Sequence, residues 1–160
     1  MKRLSIWNML LIMMCSMTLV ACSSDDDEAT GNTSDLIGLW EEIYTMGWEK
    51  ENGNIEYEYE HNYEEDGTQG ARIEFKADGT YIQYDEENGE WEADIIGTWE
   101  YKGNKIYVSY YDEYDETEYT QYVVVKELTS SRLVVESSAQ DTFEGTLYEA
   151  YSYSINRKVK

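Results

Sequence analysis

The chain contains no proline, and its two cysteines, Cys15 and Cys22, both lie near the N-terminus. It has a single histidine, His61, which follows an acidic stretch. Zinc sites and histidine-based catalytic triads need several such side chains, so this chain lacks the residues for them. Carboxylates are so abundant that no particular pair indicates glycosidase-type catalysis. We therefore predict no cofactor, no metal site and no catalytic residue, and we expect that the protein is not an enzyme.

Positive charge is also scarce. The chain has 12 Lys and Arg residues against 34 Asp and Glu residues. Removal of Lys2 and Arg3 with an N-terminal signal leaves 10 basic residues against the same 34 acidic ones, a net charge of −24. Such a domain repels nucleic acids and anionic membrane surfaces, so nucleic acid is not an expected partner. The 16 Tyr residues, together with Ile, Val, Thr and Trp, favour β-strands.

The N-terminus has the pattern of a secretory signal. Lys2 and Arg3 precede an uncharged apolar run over residues 4–20. A membrane-spanning helix is the alternative interpretation of this run. The residues that follow argue against it, because Leu19-Val20-Ala21-Cys22 resembles the bacterial lipobox. This resemblance implies cleavage of residues 1–21 and lipidation of Cys22, with several acyl chains anchoring the protein to a membrane.

Residues 22–35 contain no large apolar side chain and predict a flexible tether. The acidic run Ser23-Ser24-Asp25-Asp26-Asp27-Glu28 is interpreted either as a soluble spacer or as a sorting signal. A small residue followed by acids resembles the lipoprotein export signal of gut-type Gram-negative bacteria. That resemblance implies attachment to the outer membrane with exposure at the cell surface. Cys15 is removed with the signal, so the mature domain has no disulfide and must be stabilised by packing.

The remainder of the chain predicts an all-β domain over residues 36–160. An Asp-Gly turn within residues 72–82 and a Gly-Asn turn within residues 96–108 each predict a hairpin. Residues 55–60 alternate apolar and acidic side chains, which indicates a half-exposed or edge strand. Further strands are predicted over residues 36–49, 119–128, 132–137 and 145–156. About eight or nine strands with short loops favour an antiparallel up-and-down meander, which removes its edges by closing into a small barrel.

Four stretches carry a resemblance to a known family. They are Leu36–Trp40, Ile73–Tyr81, Gly97–Trp99 and Glu127–Val135, and together they resemble the lipocalin-like domains found on lipoproteins of gut-type bacteria. The resemblance implies an eight-stranded barrel that binds an apolar ligand, with Trp40 at the position that closes one end. This chain is shorter than the larger lipocalins, has no predicted helix beside the barrel and is more acidic.

The candidate binding residues follow from the strand pattern. Trp40 and Trp99 are expected to be structural plugs of the barrel rather than ligand contacts. Large aromatic side chains fall on both faces of several strands, so some must face a cavity, a partner or water. Faces are difficult to assign, because a one-residue bulge would invert a strand. The predicted lumen residues are Phe75, Ile82, Tyr84, Val108, Tyr110, Val124, Val135 and Tyr151.

Two acidic clusters, residues 85–90 and 112–118, favour solvated loops, with weak Ca²⁺ binding as the alternative. Two function classes remain. The first is a lipid-anchored, non-catalytic barrel that binds a small apolar or amphipathic molecule at the cell envelope. The second is a surface interaction module that binds a protein or a glycan through exposed Tyr and acidic side chains. The first is favoured, because the family resemblance implies it.

Overall fold

A computed structural model describes residues 32–112 and 116–159, and all structural statements concern these residues. Nine strands and two single-turn helices make up this part of the chain. In chain order they are α1 (Thr33–Leu36), β1 (Gly38–Glu51), β2 (Asn54–Asn62), α2 (Tyr63–Asp66), β3 (Arg72–Phe75), β4 (Thr80–Glu87), β5 (Glu90–Lys102), β6 (Lys105–Asp112), β7 (Thr117–Leu128), β8 (Arg132–Phe143) and β9 (Thr146–Lys158). No helix among them is long and apolar enough to cross a membrane.

Eight of the strands form a closed antiparallel barrel. Strand β1 pairs with β3, each strand from β3 to β9 pairs with the next, and β9 returns to pair with β1. The β1–β9 seam runs from the Trp40–Lys158 pair to the Glu51–Tyr148 pair. The prediction of a small antiparallel barrel of about eight strands is confirmed.

Strand β2 is the ninth strand and lies outside this ring. It pairs with residues 44–51 of β1, whereas β3 pairs with residues 38–41 on the same edge of β1. Within the described residues, β2 has no second neighbour, so its other edge is unpaired. The alternating sequence of residues 55–60 predicted an edge strand, and this prediction is confirmed.

The two predicted hairpins are present. In the first, Phe75 pairs with Tyr81 across a turn in which Gly79 has a φ of 86°. A positive φ is readily adopted by glycine, which explains the Asp-Gly signal. In the second, Lys102 pairs with Lys105 across the Gly103-Asn104 turn.

The predicted tether over residues 22–35 overlaps the first described element. Asn32 caps helix α1 by accepting a hydrogen bond from the Ser34 backbone N–H, and Leu36 is completely buried. The last residues of the expected leash are therefore ordered against the barrel, because Leu36 gives this short segment an apolar anchor. The signal over residues 1–21, the lipidation site Cys22 and the acids Asp25–Asp27 lie outside the described residues.

The core lies inside the barrel and includes Trp40, which is completely buried. The Trp40 indole N–H donates a 2.7 Å hydrogen bond to the Leu36 carbonyl. This bond ties the end of helix α1 to the Trp40 side chain. Trp99 is partly buried, donates to the Lys76 carbonyl at 3.0 Å and contacts Phe75 edge-on at 5.3 Å between ring centroids. Both tryptophans occupy packing positions.

Candidate functional site

The interior of the barrel contains a cavity of about 180 Å³ with mostly apolar walls. An apolar protein cavity of about 150 Å³ can hold a benzene ring, so this cavity is large enough for a small organic molecule. Its lining residues are Glu42, Tyr59, Ala71, Ile73, Phe75, Tyr81, Gln83, Ile106, Val108, Gln121, Tyr122, Val123, Leu133, Val135, Ser137, Ser152, Ser154 and Asn156.

Glu42 is the one carboxyl side chain among the described residues that line this cavity. It is only 3% exposed, and its Oε2 atom has no hydrogen-bond partner within the described part of the chain. Buried polar atoms normally have a partner, because desolvation without one costs about 1–3 kcal/mol or more. A buried carboxyl with an unpaired oxygen is therefore an exception that calls for an explanation.

A β-bulge in β1 places this side chain. Glu42 pairs with Asn156 and Tyr44 pairs with Ile155, which leaves Ile43 as the extra residue. After the bulge, the alternation of faces is inverted, so Thr45 points inward like Glu42 although they are three residues apart. The bulge therefore brings a carboxyl and a hydroxyl to the same wall of the barrel.

The neighbourhood of Glu42 is polar but uncharged. Burial raises its pKa from 4.5 to about 7, although the side-chain hydroxyls of Tyr63, Thr45 and Ser154 each lower it. We call Glu42, Thr45, Tyr63 and Ser154 the polar corner. Burial and the nearby Glu42 charge together raise the pKa of the Tyr63 hydroxyl far above its ordinary value. The tyrosine hydroxyl therefore stays protonated, and Glu42 titrates near neutral pH.

The adjacent Glu41 points to the opposite face of β1. Its carboxylate forms ion pairs with Arg72 at 2.5 Å and with Arg157 at 3.1 Å. Arg72 and Arg157 are thus paired on the outer face of β1. Lys and Arg are absent from the described cavity lining, so Glu42 has no cation of the barrel facing it inside the cavity.

Tyr59 of β2 completes the cavity wall beside Glu42. Burial, then the Glu42 charge, raises the pKa of its hydroxyl. Its ring packs over Gly47 of β1, where an added Cβ would collide with the Tyr59 hydroxyl and with the Tyr151 carbonyl. Glycine at position 47 is therefore what allows the extra strand to approach the barrel so closely.

The structure brings three of the eight predicted lumen residues to the cavity, namely Phe75, Val108 and Val135. Tyr110 lies on the inward face of β6 and is buried, but it stacks on Tyr119 at 5.6 Å in the packed core instead of lining the cavity. The other four predicted residues do not line it.

These four lie on the opposite face of their strands because side chains alternate. Ile82 and Tyr84 alternate with the cavity residues Tyr81 and Gln83, so the assignment of their strand was one residue out of phase. The remaining two have the same cause, and each is adjacent to a cavity residue on its own strand. Val124 follows Val123, and Tyr151 precedes Ser152 and stacks on Trp48 at 5.9 Å.

The phase error in β4 could have been detected from the first hairpin. Phe75 pairs with Tyr81, and cross-strand partners share a face. An inward Phe75 therefore requires an inward Tyr81 and an outward Ile82. Glu42 gave no comparable signal, since an acidic residue is expected to face solvent and the bulge at Ile43 has no sequence marker.

The two acidic clusters differ from the predicted loops. Residues 85–87 end β4 and Glu90 begins β5, so the first cluster lies at the tip of a hairpin. Within residues 32–112 and 116–159, no three His, Cys, Asp or Glu side chains are arranged to hold a metal ion. Residues 113–115 of the second cluster lie outside the described residues.

Comparison with solved structures agrees with this architecture. Insecticyanin from the tobacco hornworm Manduca sexta superimposes with a TM-score of 0.56 at 14% identity, over 88% of this chain and 70% of its own. This likeness supports the barrel fold alone. A lipocalin-like protein from Bacteroides uniformis matches at 20% identity and a TM-score of 0.46, over 78% of this chain and 98% of its own. An uncharacterized protein from Bacteroides eggerthii matches at 16% identity and a TM-score of 0.45, over 78% and 99%.

A search of curated proteins found no match. The sequence model of the lipocalin-like domain matches residues 36–135, which is more than half of the chain and includes strands β1 to β7 together with the start of β8. The matched segment contains Trp40, Phe75 and Glu42. With the closed eight-stranded barrel, this match shows that the chain belongs to the family of lipocalin-like domains.

Proposed function

We propose that the barrel is a non-catalytic binder of a small apolar or amphipathic molecule. The observation that carries this proposal is the cavity of about 180 Å³ inside a closed barrel. Ligand sites are typically apolar with a few well-placed polar groups, and this cavity has that composition. Its volume is below the 300 Å³ or so at which drug-sized sites begin, so the fitting ligand is ring-sized rather than a whole sterol.

The test is calorimetric titration of the purified full-length protein with indole, phenethyl alcohol, a fatty acid and a sterol. We expect the two ring-sized molecules to bind. Val135→Trp fills the cavity from a partly buried wall position and should abolish that binding. Ile96→Trp makes the same addition at a site that is 61% exposed, and it should leave binding unchanged. Absence of binding by the unsubstituted protein, or equal binding by Val135→Trp, would reject the proposal.

The proposal includes anchoring through a lipidated Cys22, with attachment to the outer membrane and exposure at the cell surface. Its support is the lipobox-like sequence and the acidic run behind it. Metabolic labelling with a fatty acid should mark the protein and should not mark Cys22→Ser. Replacing Asp25, Asp26 and Asp27 by Ala should protect the protein from protease added to intact cells. Unchanged protease accessibility would reject the sorting role of the acids.

A surface interaction module is the second candidate, and a ladder of aromatic rings along β2 and the first residue of α2 favours it. Tyr57, Tyr59, His61 and Tyr63 follow one another with ring centroids 5.7, 6.3 and 6.0 Å apart. Tyr57 and His61 are exposed. Flat aromatic surfaces suit sugars and protein partners. A glycan array should show binding that Tyr57→Ser weakens, and an array on which both proteins give the same signals would reject this candidate.

A further inference from the structure

The unpaired oxygen of Glu42 points to the chemistry of the ligand. A carboxyl that is 3% exposed faces the cavity, and its Oε2 atom has no partner within the described chain. Packing alone does not account for this side chain, because an apolar residue of similar size would fill the wall without the desolvation cost. The Oε2 atom is therefore a buried acceptor that faces the cavity and is open to a donor there.

We propose that the cavity binds a compact aromatic primary amine whose ammonium group is held by the Glu42 carboxylate. The inference rests on the proposed function, because it names the ligand class of the same cavity. The rest of the ligand lies against the apolar wall formed by Ile73, Phe75, Val108 and Val135.

The polar corner matches an ammonium group in donors and acceptors. An ammonium group has three N–H donors and no acceptor. The free Oε2 of Glu42 accepts one of these, and the Ser154 hydroxyl, which lines the cavity and already accepts a 3.2 Å hydrogen bond from the Asn156 side-chain amide, has a second lone pair for another. A hydrogen bond to a buried charged carboxylate is worth more than one between neutral groups. An ammonium group on the ligand can therefore donate to both oxygens, whereas a ligand hydroxyl has one donor and would leave one of them without a donor from the ligand.

Charge excludes the opposite ligand class and disfavours a metal ion. An anionic head group would lie against Glu42 with no Lys or Arg among the described lining residues to offset the repulsion. The formal net charge of −22 also raises the local concentration of cations and lowers that of anions. A hard metal ion needs several oxygen ligands with carboxylates among them, and Glu42 is the one lining carboxyl in the described chain.

The size of the cavity limits the body of the amine. A volume of about 180 Å³ accommodates one aromatic ring with a short arm. Phenethylamine has this shape. Phenethyl alcohol is its neutral counterpart of nearly the same volume, and phenylpropionate places a carboxylate on the same ring and arm. The three compounds therefore separate the effect of charge from the effect of shape.

The experiment titrates the purified full-length protein with these three compounds at pH 8, where Glu42 is ionised. We expect phenethylamine to bind about tenfold more tightly than phenethyl alcohol, and phenylpropionate to bind most weakly. Glu42→Gln should remove the preference for the amine while binding of the alcohol persists, which also shows that the variant is folded. Glu100→Gln removes the same charge from an exposed position and should leave the preference intact.

Three results would overturn the inference. Equal affinity for the amine and the alcohol would show that the ammonium group makes no specific contact. If the preference for the amine survives in Glu42→Gln, its cause is the general negative charge of the protein surface and not Glu42. Tighter binding of phenylpropionate would contradict the charge argument. In all three cases the ring is bound and the proposed function stands. Failure of all three compounds to bind would overturn the inference alone if indole still binds, and would overturn the proposed function as well if indole, the fatty acid and the sterol also fail to bind.

Discussion

Replacement of Glu42 by Gln should change how the stability of the protein depends on pH. The folded-state pKa of Glu42 is about 7, against 4.5 for the same carboxyl exposed to solvent in an unfolded chain. The raised value means that the folded protein holds a proton that the unfolded chain releases between these two pH values. This protonation favours the folded state fully below pH 4.5, and the advantage is lost as the pH rises through 7.

The magnitude follows from linkage. Between pH 5 and pH 8.5, ionisation of Glu42 should lower the free energy of unfolding by about 2 to 3 kcal/mol. Gln resembles the protonated side chain in shape and does not titrate, so the variant escapes this loss. The difference in unfolding free energy between Glu42→Gln and the unsubstituted protein should therefore grow in favour of the variant as the pH rises from 5 to 8.5. The expected growth is about 2 to 3 kcal/mol, which corresponds to about 10 °C in Tm.

The assay is urea unfolding followed by tryptophan fluorescence at both pH values. The side chains that face Glu42 do not change charge between pH 5 and pH 8.5. Tyr59 and Tyr63 have raised pKa values and remain neutral over this range, while Thr45 and Ser154 do not titrate. Glu100→Gln, which removes an exposed charge, serves as the control and should show no comparable change. A stability difference for Glu42→Gln that is the same at pH 5 and pH 8.5 would refute the reasoning.

Two further substitutions test the packing around the cavity by the same unfolding assay. Gly47→Ala places a Cβ against the Tyr151 carbonyl and the Tyr59 ring, so it should destabilise the fold by about 1 to 3 kcal/mol, and an unchanged midpoint would contradict the close approach of β2. Trp40→Phe removes the 2.7 Å hydrogen bond to the buried Leu36 carbonyl, and the expected loss is about 1 to 3 kcal/mol, whereas a neutral result would show that the bond contributes little.

Local patterns predicted the strands well because each pattern depends on a few neighbouring residues. Gly79 and Gly103 marked turns whose positive φ values glycine adopts readily, and the structure has a hairpin at each. The alternation over residues 55–60 predicted the edge strand β2 for the same reason. Closure of the barrel followed from the number of strands, since an antiparallel sheet of this size removes its edges by curling.

The cavity was harder to predict because it depends on the phase of each strand. Phe75 was placed inward correctly, but Ile82 was assigned to the same face although the Phe75–Tyr81 pair puts it on the opposite face, where it is 8% exposed. Cross-strand consistency would have corrected that choice. It would not have found Glu42, whose inward position depends on the bulge at Ile43 and on pairing with β9, more than a hundred residues away in the sequence.

Glu41 and Glu42 differ in how their charges are satisfied. The two carboxyls are adjacent in β1 and lie on opposite faces of the barrel. Glu41 is satisfied by Arg72 and Arg157, whereas Glu42 is buried with a free oxygen at some expense of stability at neutral pH. Residues 32–112 and 116–159 contain no cysteine, so no disulfide within them offsets that cost. A cationic ligand at Glu42 would return the lost stability, so binding and folding should be coupled through this one side chain.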